Sequence, residues 1–106
     1  MTQYDEMNYH AEAAAALLKA LAHPERLLVL CQLTQGEKGV SELLAHSQLG
    51  QSAFSQQLAV LRRNGLIRSR KRAQQIYYSL ASEAVSDVLA ALAKNFCHSQ
   101  ENDVDV

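Results

Sequence analysis

Apolar residues recur at helical spacing along most of this chain and alternate in only one stretch. Residues 8 to 21 run Asn-Tyr-His-Ala-Glu-Ala-Ala-Ala-Ala-Leu-Leu-Lys-Ala-Leu. Alanine and leucine lose little side-chain freedom on coiling, so this segment predicts a first helix with Asn8 as its N-cap. Pro24 suits the first turn of a second helix, whose apolar residues Leu27, Leu28, Leu30, Cys31 and Leu33 continue to about Gln35 before Gly36 and Gly39. Ser41 is expected to cap a short third helix, Glu42 to Ser47. Past Gly50, a fourth helix is expected from about Gln51 to Asn64, with Phe54, Leu58 and Leu61 on one stripe and Gly65 as its C-cap.

Beyond Gly65 the period changes to two. Leu66 to Arg72 and Gln75 to Leu80 read as the strands of a hairpin, with Ile76, Tyr78 and Leu80 on one face and Gln75, Tyr77 and Ser79 on the other. The tip, Arg72-Ala73-Gln74, lacks the Asn-Gly or Asp-Gly pair of a two-residue turn, which leaves the register open. Ser82 and Glu83 open a last helix, with Val85, Val88, Leu89, Leu92 and Phe96 at the spacing of one apolar stripe. A short helix, a glycine-containing turn and a polar-fronted helix form a helix-turn-helix, and a hairpin directly after it is a wing. The expected fold is mainly α with a β-hairpin wing: a winged helix-turn-helix of five helices and two strands. Residues 1–98 are expected to form a single domain and residues 99–106 a flexible acidic tail.

Charge sharpens this picture. The chain carries a net charge of -1 over 106 residues, yet no Asp or Glu interrupts residues 43 to 82. That stretch holds Arg62, Arg63, Arg68, Arg70, Lys71 and Arg72 out of ten Lys and Arg in all. Salt limits electrostatic reach to about 8 Å, so a local cationic patch attracts phosphates whatever the overall balance. Duplex DNA is the expected partner. Gln51, Ser52, Ser55 and Gln56, near the N-terminus of the fourth helix and away from its apolar stripe, are the candidate base readers, because Gln pairs bidentately with adenine and Ser hydroxyls serve bases or phosphates. Arg62, Arg63, Arg68, Arg70, Lys71 and Arg72 are the candidate backbone contacts. Solvated arginines without function are the ordinary alternative.

No apolar run reaches the roughly 18 residues of a membrane span, and the first residues, Met-Thr-Gln-Tyr-Asp-Glu, are acidic where a secretory signal is basic. A cytoplasmic protein without membrane contact is expected. In a reducing compartment its two cysteines are reactive, metal-binding or buried rather than permanently bridged. No nucleophile with a partnered base, phosphate loop or carboxylate pair points to catalysis, and no cofactor is expected. His10, His23, His46 and His98 share no tight metal spacing and read as surface or capping residues.

Three phrases in order carry a family resemblance: Leu21-Ala22-His23-Pro24-Glu25-Arg26-Leu27, then Gln51-Ser52-Ala53-Phe54-Ser55-Gln56-Gln57-Leu58, then Leu61-Arg62-Arg63-Asn64-Gly65-Leu66-Ile67 leading to Tyr77-Tyr78-Ser79-Leu80. The chain resembles, over nearly its whole length, the ArsR/SmtB family of bacterial winged-helix repressors. The resemblance implies a homodimer that packs its first and last helices across a two-fold axis and binds an operator of matching symmetry. It also implies release of DNA when an inducer is sensed. The small residues Ala13 to Ala16, Ser86, Ala90 and Ala93 suit close helix approach.

Many members of that family sense metals. One of their sites needs Cys-x-Cys at the third helix, where this chain has Val40-Ser41-Glu42-Leu43-Leu44. The other keeps Asp87, His98 and Glu101 at three of four spacings, but Val85 replaces a leading Asp and Asp87 replaces a His. One imidazole and two carboxylates hold zinc weakly, so no metal is expected. Cys31 and Cys97 are similar in position to the pair in the family branch that senses reactive sulfur species, where a disulfide or polysulfide bridge lowers DNA affinity. That resemblance implies a redox-sensing role for Cys31 and Cys97, with persulfides as inducers. An inert Cys31 beside Leu27 and Leu30 is the plain alternative. A peroxide or disulfide-stress sensor, an activator that displaces a silencing protein from DNA, and a zinc-responsive repressor are the functional ones.

Overall fold

The computed structural model describes residues 3–97. Its elements follow in the order α1 (Gln3–Leu21), α2 (Pro24–Leu33), β1 (Lys38–Gly39), α3 (Val40–Ala45), α4 (Gln51–Arg63), β2 (Ile67–Arg72), β3 (Gln75–Leu80) and α5 (Glu83–Leu92), which continues as a π-helical turn over Ala93–Cys97. The strands form an antiparallel sheet in the order β1-β3-β2. The architecture is a winged helix-turn-helix, with five helices as expected and three strands where two were expected. β1 is only two residues long, Lys38 opposite Tyr78 and Gly39 opposite Tyr77, too short to show any alternation in sequence.

The core gathers one stripe from each amphipathic element. Val29, Leu30 and Leu33 come from α2, Leu43 from α3, Phe54, Leu58 and Leu61 from α4, Tyr78 from β3, and Val85 and Leu89 from α5. Each large apolar side chain withdrawn from water contributes about 1.5–3 kcal/mol. No polar side chain is buried among the described residues, so the core needs no internal hydrogen-bond network. α1 joins through its C-terminal end, where Ala20 and Leu21 are buried and Leu17 packs against the core, while every residue from Gln3 to Ala16 is exposed.

Several local expectations are corrected. α1 begins at Gln3, not at Asn8, which lies inside the helix; Asp5 and Glu6 in the first turn place negative charge at its positive end. Ser41 is likewise inside α3, whose cap is Gly39 in extended conformation with no side-chain bond, because β1 feeds straight into the helix. His23 caps α2, its Nδ1 accepting from the Glu25 amide at 3.1 Å. Ser82 caps α5 through its hydroxyl, which accepts from the Val85 amide. Phe96 does not continue the buried stripe: it is 70% exposed, since the wider π turn from Ala93 shifts the register of the helix. The segment 99–106, with Glu101, and His98 before it lie outside the described residues.

Candidate nucleic-acid interface

The turn between α3 and α4 is held from below. The Ser47 hydroxyl donates to Glu25 Oε1 at 2.6 Å, the Gln48 amide approaches Glu25 Oε2 at 3.4 Å, and the Leu49 amide donates to the Ser47 oxygen at 2.9 Å. Arg26, one residue further along α2, ties three elements together. Its Nε donates to the Ala20 carbonyl at 2.6 Å, its Nη2 approaches the Lys19 carbonyl at 3.4 Å, and its Nη1 donates to Gln57 Oε1 of α4 at 3.0 Å. The Ala20 carbonyl at the end of α1 is thereby satisfied, the Lys19 carbonyl, which also accepts from the Ala22 amide at 3.3 Å, gains a second donor, and α4 is pinned to the same guanidinium.

On α4, Phe54, Leu58 and Leu61 face inward and Gln57 is half-buried beside Arg26. Ser52, Gln56 and Arg63, at i, i+4 and i+11, share the face opposite the buried stripe, and Ser55 lies at its edge. Gln51, three residues before Phe54 and seven before Leu58, lies on the stripe's side of the first turn rather than opposite it. All five are exposed, as is Arg62. The first turn of α4 contains no acidic residue and its cap, Gly50, makes no side-chain bond.

The C-terminus of α4 leads directly into the wing. The Gly65 amide donates to the Arg62 carbonyl at 3.0 Å and the Leu66 amide to the Leu61 carbonyl at 3.0 Å, the paired bonds of a Schellman motif. Gly65 adopts φ +71°, a conformation that a residue with a Cβ resists. β2 then pairs with β3 from Ile67 opposite Leu80 to Arg72 opposite Gln75. The register left open by the sequence is that of a two-residue loop, Ala73-Gln74, with Ala73 at φ 57° in place of the usual glycine or asparagine.

Residues opposite one another share a face, so Arg68, Arg70 and Arg72 stand with Ser79, Tyr77 and Gln75 on the outer side of the wing. Tyr78 packs into the core, whereas Tyr77 is half-buried and lies over Gly39, where an added Cβ would meet its ring at 3.5 Å. Arg68, Arg70, Lys71 and Arg72 are all exposed. Arg70 is engaged: its Nε and Nη2 donate to the two carboxylate oxygens of Glu37 at 2.6 and 2.7 Å. The hydrogen bond from Arg70 holds the Glu37 carboxyl below its ordinary range, and Glu37 in turn raises Arg70, so both stay charged at neutral pH. The structure thus brings the expected contacts together on the exposed sides of α4 and β2. It adds Glu25, Arg26 and Glu37 as their supports, partners far away in sequence that no local pattern announces.

These features meet independent likenesses to known proteins. Residues 23–69 match the model of the bacterial regulatory protein, arsR family. The biofilm growth-associated repressor of Agrobacterium fabrum is 45% identical over 96 residues, covering 91% of this chain and 82% of that protein. The chain belongs to the arsR family. It is a DNA-binding transcriptional regulator with the family's winged-helix structure. Another relative, the transcriptional activator HlyU of Vibrio cholerae, is 42% identical over 96 residues, covering 91% of this chain and 89% of its own. The solved structure of reduced HlyU from V. cholerae N16961 superimposes with a TM-score of 0.83 at 43% identity, covering 87% of this chain and 97% of that one.

The thiol of Cys31 lies elsewhere on this arsR-family fold. The cysteine is exposed, against the plain alternative of an inert residue buried beside Leu27 and Leu30. It opens on a groove of about 390 Å³ between α2 and α5, lined by Cys31, Thr34, Leu80, Ser86, Leu89, Ala90 and Ala93. Cys97 is the last residue of the π turn that extends α5. Asp87 is exposed on α5, and no group of three potential metal ligands occurs among the described residues. No described helix is long and apolar enough to cross a membrane.

Proposed function

We propose that this regulator is a homodimeric repressor that lets go of a two-fold symmetric operator when Cys31 and Cys97 are linked through sulfur. The observation that carries the reading is the exposed Cys31 thiol facing the groove formed with α5, the helix whose continuation ends at Cys97. A thiolate of Cys31 attacks the outer sulfur of a persulfide, R–S–SH, and displaces R–S⁻, leaving Cys31–S–SH. The Cys97 thiolate then attacks the inner sulfur and expels hydrosulfide, which gives a disulfide. Two protein persulfides instead condense to a trisulfide and release hydrogen sulfide. Neither route requires a metal or cofactor. A bridge of either kind ties α2 to α5, and α2 carries the Glu25 and Arg26 supports of the reading head. The long exposed face of α1, with Tyr4, Met7, Tyr9 and Leu18 uncovered, is the surface offered to the second protomer.

Operator release measured with and without a sulfane donor tests the switch. Cys31→Ser and Cys97→Ser are each expected to hold DNA in both conditions, and mass spectrometry of the wild type is expected to find a species carrying one added sulfur. Normal release by either variant sinks the proposal; a plain disulfide obtained equally with peroxide favours general oxidant sensing instead. Because the V. cholerae relative is named an activator, footprinting with a competing silencer decides the direction of regulation.

DNA contacts separate by their salt and sequence dependence. Gln56→Ala is expected to cost about 1–3 kcal/mol on the cognate site while sparing random duplex. Arg72→Ala is expected to weaken all DNA alike and flatten the salt slope by about one unit. Equal losses from both changes on both DNAs would contradict the division into base readers, Gln51, Ser52, Ser55 and Gln56, and backbone contacts, Arg62, Arg63, Arg68, Lys71 and Arg72. Arg70, expected among the latter from sequence, is left out because Glu37 holds its guanidinium.

A further inference from the structure

The acid-free stretch from 43 to 82 is not free of acid in space. Folding brings Glu37, from the turn before β1, onto the outer face of the wing. Arg70 starts on β2, and its partner lies beyond β3 on the β1 side of the sheet, so the guanidinium reaches inward across the position of Tyr77 rather than outward from the free edge of β2. There Nε and Nη2 meet both carboxylate oxygens at 2.6 and 2.7 Å. That paired edge is the one a guanidinium offers to two phosphate oxygens, since carboxylate and phosphate present the same spacing to the fork. The pair remains open to solvent, with Arg70 56% and Glu37 31% exposed in their side chains. Arg68, Lys71 and Arg72 on the same strand have no carboxylate within ion-pair distance among the described residues.

We propose that Glu37 is an affinity-setting residue of the DNA interface, an internal stand-in for phosphate that occupies Arg70 and holds down binding to duplex of any sequence. Arg70 sits between Arg68 and Arg72 on the outer face, and neutralising it removes one cation from the part of the wing that meets the backbone. Backbone attraction carries no sequence information, so it strengthens every site at once and opposes release. A carboxylate fixed beside the wing keeps that term low while leaving the base readers of α4 untouched.

The inference rests on the family's DNA binding, and its test uses the full chain with a random duplex of about 30 base pairs, titrated across salt by fluorescence anisotropy. Glu37→Gln is expected to tighten binding about three- to tenfold and to steepen the slope of log K against log salt by about 0.9, the increment for one further neutralised phosphate. Arg70→Ala alone is expected to change affinity less than about twofold, and Glu37→Gln in that background to add less than about twofold. Circular dichroism of each variant confirms its fold. Weaker or unchanged binding by Glu37→Gln overturns the role of Glu37. So does an equal gain without Arg70, which would make Glu37 a diffuse repulsive charge, or a loss from Arg70→Ala as large as that from Arg72→Ala. An unmodified chain with no salt-sensitive affinity for duplex would overturn the DNA reading itself, a result distinct from all of these.

Discussion

Phe54→Ala is expected to destabilise the protein by about 3–5 kcal/mol. The ring is 1% exposed at the start of the recognition helix, packed within the cluster that also holds Leu30, Leu43 and Leu61. Truncation removes the transfer energy of the ring and leaves a cavity that α2, α3 and α4 cannot close without moving together. Set against a total of about 5–15 kcal/mol for a domain, this is a large share of the stability. A urea titration is expected to show a lower midpoint with an unchanged slope. The adjacent, exposed Ser55→Ala should stay within about 0.5 kcal/mol. A cost for Phe54→Ala no larger than that for Ser55→Ala would mean that Phe54 does not face the core.

Arg26→Ala is the second large effect, with an expected cost of about 2–3 kcal/mol. Its guanidinium donates to the carbonyls of Ala20 and Lys19 and to Gln57, so one truncation orphans acceptors on both α1 and α4. Arg26→Lys is expected to recover little, because a single ammonium cannot span three acceptors held apart by a planar fork. The variant should also lose operator affinity beyond its loss of fold, since the orientation of α4 depends on Gln57. Thermal melts and anisotropy on the same preparations separate the two. Full operator affinity in a folded Arg26→Ala chain would show that the link to Gln57 does not position the helix.

What the sequence made legible was the strongly periodic part. The stripe Phe54, Leu58, Leu61 and the alternation Ile76, Tyr78, Leu80 are repeated local patterns. The structure buries the first whole, and keeps the second on one face of the hairpin but buries only Tyr78 fully, leaving Ile76 near the tip 41% exposed. β1 escaped because two residues carry no period and its pairing with Tyr77 and Tyr78 is a long-range fact. Asn8 and Ser41 look like caps in isolation, but propensity gave way to an earlier acidic start in α1 and to a strand running directly into α3. The exposed polar face of α4 and the arginines of β2 were visible as residue types at a spacing. Their supports were not: Glu25 to Ser47, Arg26 to Gln57 and Glu37 to Arg70 each join segments more than a helix apart.

The Schellman turn at Gly65 leaves no slack between the recognition helix and the hairpin: α4 ends at Arg63 and β2 begins at Ile67, with Leu66 already buried. Helix and hairpin therefore travel as one stiff tool. In the dimer proposed above, a signal that bridges the cysteines would not fold the hairpin away from its groove; it would reset how far apart, and at what tilt, two such tools are held, and DNA would read it as a mismatch in half-site spacing.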